Sequence, residues 1–171
     1  MIEILADLFG EARHSVTHLE MRDTYGTRSP DYRAWREGMT VDQLSQLGYV
    51  QPWVDLVRNT VSREVSFRRA RIISEPASEY IRFEHAVTGY CNLAGGERVR
   101  WLPRSRAADL AVPGADFWQI DSGLVCFVFQ SGDGEPSGYE LTEDAAVAKL
   151  CDTSFETVWE RGIDHSEFRL T

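Results

Sequence analysis

The stretch "SFRRARIISEP", residues 66–76, holds the side chains with the most chemical reach: Arg68, Arg69 and Arg71 enter a strand-like run that Pro76 ends. A guanidinium stays charged at any working pH, and its planar fork fits a carboxylate or a phosphate. Strand alternation puts Phe67, Arg69, Arg71 and Ile73 on one face and Arg68, Ala70 and Ile72 on the other. Arg82 follows on a helix, away from that helix's apolar stripe, and Arg100 and Arg104 accompany Arg98 around the next strand. Glu84 borders the stripe, where a buried carboxylate needs a partner. Two readings stay open. Glu75, Glu79, Glu84 and Glu97 pair with the arginines as scaffolding, or some guanidiniums remain to bind an anion beside Tyr80, Trp101 and Trp118. The candidate ligand-binding set is therefore Arg68, Arg69, Arg71, Tyr80, Arg82, Glu84, Arg100, Trp101, Arg104 and Trp118.

Other chemistry has thinner support. "NLAGGERVR" pairs two glycines but lacks the Lys-Ser/Thr of a phosphate loop and follows a helix. "MTVDQLSQLGYVQ" begins like a helix-turn-helix, yet Pro52 falls inside the would-be recognition helix. His14 and His18 lie either side of a helix-to-strand break, while His85 and His165 stand isolated, so no metal or other cofactor is expected. Cys91, Cys126 and Cys151 read as buried free thiols with no basic neighbour to activate them. Asp116 and Asp121 flank one strand five residues apart and point to opposite faces; they read as turn and edge residues.

Charge is unevenly spread. The chain carries −9 overall, but residues 63–106 hold nine arginines against five glutamates, so the excess acid lies elsewhere. Lys149 is the only lysine. An acidic surface argues against nucleic acid as a general partner. Three unpaired cysteines, an N-terminus with early acids and no membrane-length apolar run suit a cytoplasmic protein.

The elements that must hold these side chains can be read from periodicity. Helices are expected over 2–13, from Pro30 to Gly38, after Thr40, and over 50–64 with Trp53, Leu56, Val57 and Val61 on one face. "SVTHLEMRD" reads as a half-exposed strand. A helix of about 16 residues follows Pro76 and closes at Gly95-Gly96. "RVRWLP" is a short strand, and "ADFWQIDSGLVCFVFQ" a hairpin over 115–130 around Asp121-Ser122-Gly123. "YELT" reads as one more strand, and a last helix starts near Thr142 with Glu143 and Asp144 in its first turn. The fold class is α+β: a single domain over 1–171 whose mixed central sheet is covered by helices. It divides into a helix-rich part (1–64), a sheet-forming basic core (65–141) and a C-terminal helix (142–162).

"RRARIISEPASEYIRFE", "NLAGGERVRWLPR" and "ADFWQID", with "SVTHLEMRDTY" and "WREG" earlier, resemble an actinobacterial domain-of-unknown-function family, number 6879, over nearly the whole chain. That resemblance implies a setting beside helix-turn-helix regulators and a regulatory or toxin–antitoxin-like partner. "GGERVRWLPR…GADFWQIDSG" is also similar, in order and spacing, to half of a phospholipase D domain. With Asp121 in the aspartate position of that motif, Gly114 and Asp116 stand where its histidine and lysine belong. The nucleophile and the phosphate-holding cation are then missing.

Three functions remain in view. The first is a non-catalytic cytoplasmic binding or regulatory module that recognises a small anionic ligand or a partner protein through the arginine-rich segment. The second is a small biosynthetic enzyme acting on an anionic or aromatic substrate, with Glu84 or Asp116 as acid/base. Direct nucleic-acid binding is the third, and glutamates interspersed among the arginines weaken it.

Overall fold

Three parallel strands form the centre of the molecule because two helical crossovers separate them in sequence. The computed structural model describes residues 2–171, without the side chain of Ile2. Helix α1 (Ile2–Glu11) leads into β1 (Ser15–Glu20). Helices α2 (Pro30–Arg36), α3 (Val41–Gln46) and α4 (Gln51–Val61) cross to β2 (Ser66–Ile73), and α5 (Glu79–Cys91) crosses to β3 (Arg98–Pro103). The chain then forms β4 (Asp116–Ile120), β5 (Leu124–Gln130) and β6 (Pro136–Thr142), followed by α6 (Ala145–Arg161) and a short β7 (Ile163–Asp164). The seven strands lie in the order β6-β5-β4-β1-β2-β3-β7. Strands β1, β2 and β3 run parallel, and every other pairing is antiparallel. The domain is α+β with a mixed sheet, as its sequence implies.

Helices cover both faces. Phe9 of α1 and Val57 of α4 pack with Val16, Phe67 and Trp118 on one side. On the other, Phe155 and Val158 of α6 pack with Leu19, Ala70 and Phe117. This double cover corrects one expectation: β1 is not half-exposed, and even its polar Thr17, His18 and Glu20 are buried. An alternating strand presents its polar face to water only when that face is left open. Edge strand β6 is mostly exposed and runs longer than the expected "YELT".

Local signals hold at several helix ends. Thr40 and Gln43 form a reciprocal capping box, and Ser78 Oγ accepts from Ile81 N at 3.1 Å. Asp144 lies before the first turn of α6 instead of within it, and caps Ala146 N and Val147 N. Helix α5 is 13 residues long, shorter than expected, because a 3-10 turn at Leu93–Gly95 tightens its end. There Gly95 touches α4 so closely that a Cβ would lie 2.9 Å from Val57 Cβ. No helix among the described residues is long and apolar enough to cross a membrane.

Candidate functional site

Strand register builds the site. Trp118, His18 and Arg69 are neighbours across β4, β1 and β2. Glu20, Arg71 and Trp101 form the next row across β1, β2 and β3. Positions two apart on a strand share a face, so both rows project the same way, under α4 and α5. They floor a cleft of about 370 Å³, whose walls include Trp53, Tyr80, Phe83 and Glu84.

The floor is a network of ion pairs. Arg69 donates from Nε to Glu97 Oε1 at 2.5 Å and from Nη1 to Glu20 Oε1. Arg71 donates from Nε to Glu20 Oε2 at 2.5 Å and from Nη1 to Thr88 Oγ1 at 3.0 Å. Its Nη2 lies 3.6 Å from Glu84 Oε1, an ion pair too long for a hydrogen bond. Glu97 Oε2 accepts from Asn92 Nδ2 at 2.7 Å. The guanidiniums also lie on aromatic faces: Arg69 is 5.5 Å from the Trp53 ring centroid and 5.2 Å from Trp118, and Arg71 is 4.8 Å from Trp101.

His18 stacks on Trp118 with ring centroids 3.7 Å apart. Its Nδ1 is 2.7 Å from the Phe117 carbonyl, which can only accept, so Nδ1 carries a proton. Nε2 then faces Glu20 Oε1 at 3.2 Å.

Burial and charge pull the site's acids apart. Burial alone would raise Glu20, but Arg69 and Arg71 outweigh it and hold this carboxyl well below the ordinary range. Glu84 is pushed up to about 7, chiefly by burial, with the Glu20 charge adding to it against Arg71. Its Oε2 is buried without a hydrogen-bond partner. Burial likewise raises Asp116, which accepts from Met21 N at 2.9 Å and Tyr25 Oη at 2.6 Å. Cys91, half-buried in the cleft wall, is raised by burial to about 12 and is no nucleophile.

Of the candidate set, Arg69, Arg71, Tyr80, Glu84 and Trp118 meet in this cleft, and Trp101 underlies Arg71. The others do not converge on it. Arg68 projects to the opposite face, where Glu156 takes both its amino groups at 3.0 and 2.6 Å. Arg100 donates to the Trp159 carbonyl at 2.7 Å on that same side. Arg104 closes the end of β3 on Asp23 and the Met21 carbonyl, and Arg82 Nε donates to the Ala77 carbonyl at 3.2 Å.

Within the cleft, the surplus of guanidinium implied by the local charge count is thus absent. Around the cleft Glu20, Glu84 and Glu97 face Arg69 and Arg71, three acids against two bases. Glu20, Asp23 and Glu156 lie outside residues 63–106, where a count along the chain does not reach them. What the arginines retain is smaller. The Nη2 groups of Arg69 and Arg71 make no hydrogen bond among the described residues, and neither is sealed among the partnerless buried atoms.

Sequence reasoning missed His18, Glu20 and Trp53. The alternation in "SVTHLEMRD" places His18 and Glu20 on one polar face, but a half-exposed strand turns that face to water. The histidines at 85 and 165 are not isolated, since their rings lie 4.8 Å apart and His165 Nδ1 accepts from Trp101 Nε1 at 3.1 Å. Among the described residues no three His, Cys, Asp or Glu side chains gather as a metal site would require.

The chain matches the model of DUF6879, a domain of unknown function, over residues 3–170, and it belongs to that family. No curated protein matches it. Among solved structures it is similar to Nuc of Salmonella typhimurium, a phospholipase D family member, with 12% identity and a TM-score of 0.51, covering 95% of this chain and 89% of that one. NucT from Helicobacter pylori is similar at 12% identity and a TM-score of 0.52, with the same coverage of both chains. At such identity the likeness is one of fold.

Proposed function

We propose that this DUF6879 domain is a non-catalytic binding module that takes a small ligand with an anionic group in the cleft above β1 and β2. The observation that carries this reading is the pair of Nη2 groups on Arg69 and Arg71 that make no hydrogen bond, Arg71 Nη2 having only the 3.6 Å ion pair to Glu84, in a cleft walled by Trp53 and Trp118. Guanidiniums whose other nitrogens are hydrogen-bonded give an anion charge-assisted donors with little ordering cost. About 370 Å³ suits a molecule of one or two rings. Use as a regulatory module, through a partner that senses the filled cleft, belongs to the same proposal, and the buried free thiols Cys126 and Cys151 favour a reducing compartment. Thermal melting with aromatic carboxylates tests it: melting temperature should rise with concentration, and Trp53→Ala should abolish the rise. A flat response in the unaltered protein would remove the reading.

The raised Glu84 favours a second reading, an enzyme in which this carboxyl exchanges a proton with an anionic or aromatic substrate near neutral pH. Glu84→Gln separates the two, since an enzyme would lose turnover whereas a binding module has none to lose.

A further inference from the structure

We infer that the ligand of this cleft carries, besides its anionic group, an N–H or ammonium donor received by Glu84, which makes it a small aromatic zwitterion of the amino-acid type. The inference rests on the anion-binding reading above and adds the second half of the ligand. Glu84 lines the cleft while itself nine-tenths buried; its Oε2 is sealed and unpartnered, and its Oε1, which is not sealed, makes no hydrogen bond among the described residues and lies 3.6 Å from Arg71 Nη2. A carboxylate so poorly supplied with donors gains a charge-assisted bond when a ligand N–H meets Oε1.

Charge balance points the same way. The floor already sets Glu20, Glu84 and Glu97 against Arg69 and Arg71, so a simple anion adds to an existing negative excess. A zwitterion leaves the balance unchanged. It can place its carboxylate against the spare Nη2 donors and its ammonium against Glu84. The aromatic wall of Trp53, Phe83 and Trp118 suits a planar apolar body, and an ammonium near such faces gains cation–π attraction.

Proton linkage supplies a signature. Glu84 is faced by Arg69 and Arg71 of β2, Glu20 of β1 and Asp116 of β4, with Tyr80 on its own helix and Tyr25 from the loop after β1. Its carboxyl titrates near 7, so a donor ligand bound at that pH drives ionisation and releases a proton. An anion without a donor favours the protonated form and takes one up.

Titration calorimetry with tryptophan, tryptamine and indole-3-propionate tests the assignment on one ring system. Near pH 7, in two buffers of different ionisation heat, tryptophan should bind at least about tenfold more tightly than either analogue and release protons. Glu84→Gln should reduce tryptophan to the level of indole-3-propionate and leave the latter unchanged or at most about twofold tighter, since a neutral side chain at 84 spares the proton uptake. If indole-3-propionate matches tryptophan, the donor at Glu84 is wrong and the anion-binding reading survives. If tryptamine matches tryptophan, the anion-binding reading is wrong. If none of the three binds, both are overturned. The ligand series on the unaltered chain decides even if the variant fails to fold.

Discussion

Glu20 and Arg71 are direct cross-strand partners of β1 and β2, and Glu20 Oε2 accepts from Arg71 Nε while Oε1 accepts from Arg69. One carboxylate therefore holds two buried guanidiniums in fixed planes. Breaking such a pair leaves buried charge uncompensated, which costs more than the intact pair contributes.

Glu20→Gln should accordingly destabilise the domain by about 3–5 kcal/mol, measured by denaturant unfolding. Trp53→Ala, at the half-buried wall of the same cleft, should cost less and leave the ion pairs intact. A loss below about 1 kcal/mol for Glu20→Gln would show that Glu97 and Glu84 suffice to hold both arginines.

Glu84 and His165 should impose opposite pH slopes on stability. Glu84 is raised to about 7, so the folded state binds more protons than the unfolded one between its ordinary value of 4.5 and 7, and its contribution falls as pH rises through that window. His165 is lowered to about 4, first by burial and then by His85, so its contribution is complete above 6.5 and is lost as pH falls towards 4. The two partly cancel. Glu84→Gln should expose a melting temperature that climbs with pH over this range, and His165→Asn should expose one that declines.

Gly95→Ala should destabilise by about 1–3 kcal/mol, because the new methyl meets Val57 Cβ at 2.9 Å and the Val54 carbonyl oxygen at 3.1 Å. Pairing it with Val57→Ala should restore only part of the loss, since that change removes the 3.1 Å contact with Cγ1 and leaves those with the Cβ and the carbonyl. Thermal melts of the three proteins check the coupling.

Asp121 works as a clamp. Though part burial opposes it, the backbone N–H groups of Ser15, Arg13 and His14 hold its carboxyl below the ordinary range, with bonds of 2.7–2.9 Å. Asp121→Ala should cost about 1–2 kcal/mol above pH 5 and progressively less in acid, where the native carboxyl is itself protonated. Hydrogen exchange should report the loss first at Arg13, His14 and Ser15.

The element inventory, the short β7 apart, was legible in the sequence, because it rests on short-range physics. Apolar spacing marked α4 and α5, Thr40 marked a cap, and Asp121-Ser122-Gly123 marked the β4–β5 hairpin, where Asp121 and Ser122 indeed adopt positive φ. Arg69, Arg71 and Glu84 were likewise visible as charged groups at apolar positions. The sheet order was not legible. It alone made β1 central and turned the polar face of "SVTHLEMRD" inward, so that His18 and Glu20 became part of the cleft.

Helix, turn and strand identities follow from neighbours a few residues apart, and the linear chain already contains those neighbours. Which acid neutralises which arginine in the sheet depends on partners 13 to 88 residues away, brought close only by strand register and helix crossing. Coulomb attraction falls with distance in space and is indifferent to distance along the chain. The arginines of the charged site were therefore written in the sequence, and its charge balance was decided by the fold.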